Sequence, residues 1–405
     1  MLRRASLSLL FLLACGPEHR GDDGVGTNDA GPADAPCVTS ISGKVFAPNG
    51  TLPLYNVRVY VPEQQPIAFP EGVQCSSCGD GIPGGALASA VTGPDGSFKM
   101  EGVPPGENVP VIITSGKWRR RLTVPVVGQC VDLPIQDGTF RLPKNRSEGE
   151  IPRIAMVTGG CDPLACILSK LGLDASEFGT DPAGPQRVIW YNGAGGVAPG
   201  TPKSATALWG DLEEMKKFDV IINSCECNVH DELKTSPDLL RQYADMGGRV
   251  FGSHYHYTWT KTLIPQWQGT ATWATGGTSS GQDLVDTSTP SGMAFAQWLV
   301  TVGASSTLGQ ISLGSKIPNV TTVNAPTTRW LYTANPATTH YLSFQTPVGV
   351  PQENQCGKVV YAGMHVASGS VNASYPSGCT ANMTPDEKAL VFLLFDLTAC
   401  VDIIF

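Results

Sequence analysis

The apolar positions of this chain follow two regimes. In the first third they alternate with polar ones: Val57, Val59 and Val61 stand against Arg58 and Tyr60, and Phe98 and Met100 share one face. A period of two marks strands with one buried face. Pro48-Asn49-Gly50 and Pro94-Asp95-Gly96 interrupt the alternation with residues that suit tight turns. Residues 41–61 therefore read as two strands joined by the first turn, and residues 91–105 repeat the arrangement. Residues 109–114 and 119–127 add further strands, and an antiparallel β-sandwich is expected.

From residue 151 the apolar runs become uniform: IAMV at 154–157, VIWY at 188–191, FDVIIN at 218–223 and RVFG at 249–252. Between them lie helical spacing at 164–171 and a helix that starts at Ser236-Pro237-Asp238, with Ser as N-cap, and stops at Gly247-Gly248. Strands alternating with helices predict an α/β doubly wound, mostly parallel sheet, with ligands at the ends of its strands. After Lys261 comes a β-rich insertion, with a helix over 293–302 and strands over 310–313, 329–333 and 341–345. KVVYA at 358–362 returns to the central sheet and ends at Gly363-Met364-His365. Thr384-Pro385-Asp386-Glu387 is a capping box that opens a last helix reaching Leu397.

Composition narrows the function classes. Charged residues make up only 15% against 46 Gly and 32 Pro, a balance that favours turn-rich β structure. The net charge of −8 comes with a single basic cluster, Arg119-Arg120-Arg121, so nucleic acid is not an expected partner. Trp118 and these arginines read as a solvated strand with a half-buried ring, the alternative being a contact surface.

The N-terminus reads as a targeting segment: a basic pair at Arg3-Arg4 and an apolar run too short to span a bilayer, ending in Leu12-Leu13-Ala14-Cys15. This ending resembles the lipobox of bacterial lipoproteins, which implies cleavage before Cys15, lipidation of its thiol and a lipid-bilayer partner. Gly16 rather than Asp follows, and by resemblance to Gram-negative lipoproteins this implies the outer membrane. Residues 17–36 lack apolar periodicity and are expected to be a disordered tether. The expected division is a signal peptide at 1–14, lipidated Cys15 and tether at 15–36, the sandwich at 37–146 and the α/β domain at 151–405.

SGKVFAPNG, NVRVYV and TGPDGSFKMEGVPPG together resemble the carboxypeptidase regulatory-like domain, a transthyretin-like Ig sandwich. That family's module is a spacer or binding accessory, so the resemblance implies no catalytic residue here. The strand order of residues 151–405 resembles the class I glutamine-amidotransferase-like superfamily, closest to its trehalose-utilisation (ThuA-like) branch, which implies a flavodoxin-like architecture. In true amidotransferases a strand runs into an elbow carrying a nucleophilic Cys, and a late strand ends in His-Pro-Glu. Here the elbow reads Gly252-Ser253-His254-Tyr255-His256, with His254 in the nucleophile's place, and His365-Val366-Ala367 keeps the His without the Glu. Amidotransferase activity is therefore not expected.

The strand ends are expected to bring His254, His256, His365 and Glu226 to one crevice, with His230 and Asp231 nearby and Tyr255, Tyr257 and Trp259 alongside. The leading expectation is a binding protein for a carbohydrate or other envelope ligand, using His254, Tyr255, His256, Trp259, Glu226 and His365, with no cofactor. The alternatives are a glycan-directed or metal-dependent hydrolase, with His254 and His365 as catalytic candidates and His254, His256 and His365 as transition-metal ligands, or a purely structural envelope protein.

With Cys15 lipidated, eleven of the 12 cysteines remain and at least one cannot pair within the chain. Cys75 and Cys78 are expected to form a disulfide, as are Cys37 and Cys130, although Cys37 could instead take Cys75 or Cys78. Cys356 and Cys400 return to one sheet edge and could pair. Two bridges are expected between Cys161/Cys166 and Cys225/Cys227, leaving Cys379 as the free thiol. A nucleophilic Cys225 is the functional alternative.

Overall fold

The uniformly apolar runs become the parallel half of one large sheet. The computed structural model describes residues 37–75, 81–274, 280–366, 369–370, 375–380 and 382–399. The sheet's principal strands are β1 (Ile154–Val157), β2 (Val188–Asn192), β3 (Val220–Asn223), β4 (Arg249–Ser253), β5 (Thr338–Thr346) and β6 (Gly357–Ala362). They are ordered β2-β1-β3-β4-β6-β5, parallel up to β6, with β5 antiparallel to β6. Thr328–Thr333, Asp283–Val285 and Gln310–Ile311 extend the sheet beyond β5, also antiparallel. Every residue of β1, β3, β4 and β6 is buried, as a strand covered on both faces requires.

Alternation survives inside these runs, but it sorts side chains between two cores instead of between core and water. Ile154, Met156, Val220, Ile222, Phe251 and Val360 face one apolar cluster; Ala155, Val157, Ile221, Val250, Val359 and Tyr361 face the other. The helix Pro237–Asp245 covers the second face with Leu240 and Tyr243. Its predicted N-cap, Ser236, makes no side-chain capping bond. The last helix, Pro385–Thr398, covers the first face, and its capping box forms as expected, with Thr384 and Glu387 bonded reciprocally. Glu387 also receives the Lys170 ammonium at 2.6 Å, an ion pair closed off from water.

The N-terminal strands form two sheets. Ala88–Val91, Arg58–Val61, Gly106–Ser115, Trp118–Val127 and Gly149–Glu150 make a five-stranded sheet, and Ser97–Glu101, Ser40–Lys44 and Asp132–Pro134 a three-stranded one. The expected local hairpins are not made. Ser40–Lys44 pairs with Ser97–Glu101, so both sequence turns carry the chain from one sheet to the other. Apolar residues on either side of each turn can then fill the same space between sheets, which neighbours on one hairpin face cannot do.

These sheets share the first core of the large sheet, and Val38–Phe405 is one compact unit. Tyr55 stacks on Phe392 at 5.6 Å between ring centres, and Trp118 meets Phe395 at 5.9 Å. Trp298 donates its indole N–H to the Pro53 carbonyl at 2.8 Å. Trp118 and Arg119 are thus buried, not solvated: Arg119 forks onto Glu150 and lies over the Phe69 ring.

The disulfides also reach across elements rather than closing local loops. Cys75 pairs with Cys356 and not with Cys78, which lies outside the described residues together with Cys15 and Cys400. Cys37 and Cys130 are both disulfide-bonded. Cys161 pairs with Cys227, one of the bridges expected between those loops. Cys166 takes Cys379, so Cys379 is not the free thiol; among the described residues that is Cys225. No described helix is long and apolar enough to cross a membrane.

Phe392 touches the rings of Tyr55, Phe295, Trp298 and Trp330. Phe392→Ala should destabilise by about 3–5 kcal/mol. In a urea titration followed by fluorescence and circular dichroism, the N-terminal sheets and the large sheet should still melt in one transition, and separate transitions would contradict a shared core.

Candidate functional site

Register brings the site together. Val157, Asn223, Gly252 and Tyr361 are level across β1, β3, β4 and β6, so the residues that follow each strand emerge at one edge. Two residues beyond β3 stands Cys225, just beyond β4 stands His254, and a few residues beyond β6 stands His365. A methyl group at Gly159 would overlap the carbonyl of Cys225, so only glycine lets the ends of β1 and β3 close this tightly.

The three side chains converge. Cys225 Sγ lies 3.3 Å from His365 Nε2 and 3.5 Å from His254 Nδ1, and the two nitrogens are 3.0 Å apart. His254 has φ of +34°, uncommon for a residue with a side chain, and Tyr361 donates its hydroxyl to the His254 carbonyl at 3.1 Å. Burial holds all three groups neutral. It pushes the Cys225 thiol up to about 11. It brings His254 down to about 4, helped by the neighbouring His365, and lowers His365 as well.

Asp162 fixes the flanks of both histidines. Its carboxylate accepts the Ser253 hydroxyl at 2.8 Å and the Val366 backbone N–H at 3.1 Å, the residues next to His254 and His365. It was not among the residues singled out from sequence. The available signal was its place in the Gly-Gly-Cys-Asp turn that directly follows β1.

The other expected site residues lie elsewhere. His256 is buried and donates from Nε2 to the Ser224 carbonyl at 2.9 Å, which leaves its Nδ1 3.9 Å from Glu226. Glu226 is paired with the buried Lys234 at 3.0 Å, and Trp259 packs edge-on against Trp209 in the second core. His230 pairs with Glu232. None of these faces the Cys225 cluster: Glu226 turns to Lys234, and residues 254–256 form a 3-10 turn, in which side chains two apart do not share a face. Tyr255 does reach the cluster: it packs on His254 at 3.9 Å and opens a half-buried row that continues through Tyr257, 6.4 Å away, to Trp273, a further 6.2 Å on. Lys261 sits 5.3 Å above the Tyr257 ring.

A cavity of about 740 Å³ lies elsewhere, where the N-terminal strands meet the large sheet, lined by Tyr55, Trp298, Trp330 and Phe392 among others. Its charged groups, Lys358 and Asp396, already neutralise one another at 2.7 Å. The chemistry-bearing side chains are at the strand ends instead.

Removing the Asp162 carboxylate strands the buried Val366 N–H and leaves the Ser253 hydroxyl only its longer bond to the Met364 carbonyl, at 3.2 Å. Asp162→Ala should therefore lower the unfolding free energy by about 2–4 kcal/mol, and Asp162→Asn, which keeps one acceptor, by less. Urea unfolding of the two variants checks the order.

No protein-family model matches the chain, and no curated protein does. Among solved structures the chain is similar to two interface mutants of a type II cohesin–X-dockerin complex from Acetivibrio cellulolyticus. Each aligns at 16% identity over 36% of this chain and 78% of that chain, with a TM-score of 0.17. It is also similar to the mmIFT52 N-terminal domain, at 9% identity over 61% of this chain and 97% of that one, with a TM-score of 0.30. Scores this low carry no argument about fold or activity.

Proposed function

We propose that this protein is an outer-membrane lipoprotein of a bacterial cell envelope that binds a carbohydrate-type envelope ligand on the aromatic row beside His254. The observation that carries the reading is the row itself. Tyr255, Tyr257 and Trp273 are partly exposed, and Lys261 sits above one of them. Sugar rings offer apolar C–H faces to such rings and hydroxyls to the polar groups beside them, here the imidazole at one end and the ammonium further along. The binding residues are thus Tyr255, Tyr257, Trp273 and His254, in place of His256, Trp259 and Glu226.

The architecture proposed for this activity is a carboxypeptidase-regulatory-like sandwich followed by an amidotransferase-like layer. The sheet order, with its level strand ends, and the positive φ of His254 at the elbow position support it. Amidotransferase activity is not part of the proposal, since His254 stands where the family has its thiol. Attachment to the membrane through Cys15 rests on the Leu12-Leu13-Ala14-Cys15 sequence.

Two measurements test the proposal. On a glycan array the full chain should bind a defined subset of envelope glycans, and Tyr257→Ala and Trp273→Ala should each weaken that binding by about tenfold or more. A blank array for the wild type, or affinity unchanged by both variants, would remove the row as a carbohydrate site. On cell fractionation, Cys15→Ala should move the protein out of the membrane fraction, and an unchanged distribution would exclude acylation as its anchor.

A further inference from the structure

We propose that Cys225, His254 and His365 form a transition-metal site of the zinc class, with Cys225 Sγ, His254 Nδ1 and His365 Nε2 as the ligand atoms. Tetrahedral zinc binds imidazole nitrogen at about 2.0–2.1 Å and thiolate sulfur at about 2.3 Å, which sets two nitrogens about 3.3 Å apart and nitrogen from sulfur about 3.6 Å. The observed separations are 3.0 Å between the nitrogens and 3.3 and 3.5 Å from nitrogen to sulfur. Each falls within a few tenths of an ångström of the tetrahedral value. An ion just off the plane of the three atoms would need only a slight spreading of the side chains.

The ligand types fit the same ion. Thiolate with imidazole selects zinc and related metals over magnesium or calcium, which take oxygen. A neutral imidazole offers one nitrogen lone pair, and a bound ion would replace the hydrogen bond that joins His254 Nδ1 to His365 Nε2. Cys161 Sγ also lies within 4.8 Å of Cys225 Sγ and a His365 nitrogen, but its bond to Cys227 removes it as a thiolate donor. The set is therefore one Cys and two His, three of the four ligands of a tetrahedral site.

A nucleophilic Cys225 with a histidine base is the competing use of these atoms. It is disfavoured because Cys225 has no exposed surface, so a carbonyl carbon has no line of approach to the sulfur. Nor does a nucleophile need both imidazoles on one sulfur. Metal binding converts the thiol to a metal-bound thiolate and releases its proton to solvent.

The test uses the full chain with its disulfides intact, stripped of metal and titrated with cobalt(II) chloride, then with zinc chloride. One equivalent of cobalt should bind, with a sulfur-to-cobalt charge-transfer band and the intense visible bands of a tetrahedral site, and zinc should displace it. Cys225→Ser should abolish the charge-transfer band, and His365→Ala should weaken binding by at least about tenfold, while His230→Ala should leave both unchanged. A wild-type chain that binds neither metal overturns the proposal whether or not the variants fold, as does a charge-transfer band that survives Cys225→Ser. The glycan array and the metal titration can fail independently, since neither readout uses the other's probe.

Discussion

The buried carboxylate of Asp162 is the constraint on which the strand-end site depends. It leaves the end of β1, holds Ser253 at the end of β4 and holds Val366 just past His365. A carboxyl group with no access to water needs hydrogen-bond partners, and two of its donors belong to residues adjoining a histidine of the cluster. The positions of His254 and His365 are therefore tied to one acceptor, and the 3.0 Å between their rings follows from that anchorage as much as from contact between the rings themselves.

The level ends of the parallel strands are the second requirement. Side chains two residues past Asn223 and two past Gly252 meet only because those residues are aligned across β3 and β4. A shift of one residue would send Cys225 and His254 to opposite sides. That register is secured from both faces. On one face lies the helix carrying Leu240 and Tyr243; on the other lies the core shared with the N-terminal sheets, into which Phe392 and Phe395 are inserted. The N-terminal sheets thus support the large sheet directly instead of hanging from it.

Burial gives the cluster its electrostatic character. The same desolvation that keeps the Cys225 thiol protonated keeps the two imidazoles uncharged, so the group collects three neutral donor-rich atoms where charges would be costly. A divalent cation would make a thiolate favourable in such surroundings. A few ångströms away the Tyr255, Tyr257 and Trp273 rings are partly exposed, so a polar, closed cluster adjoins an open aromatic surface.

The strands and main helices were legible in the sequence because uniform apolar runs and capping residues are local signals: IAMV, VIIN and KVVYA become β1, β3 and much of β6, and Thr384 with Glu387 caps the last helix. The nearness of His254 to His365 was legible too, since parallel strands deliver their ends to one edge. Tertiary structure alone decided the rest. Which of Cys225 and Cys227 stays free, which sheet each N-terminal strand joins, and whether His256 faces the edge or the core all depend on partners far away in the chain. Cys75 meets Cys356 across 281 residues, and Asp162 meets Val366 across 204. No periodicity carries those distances, because such contacts are set by how whole layers stack, and a local pattern constrains only which face of its own element a side chain occupies.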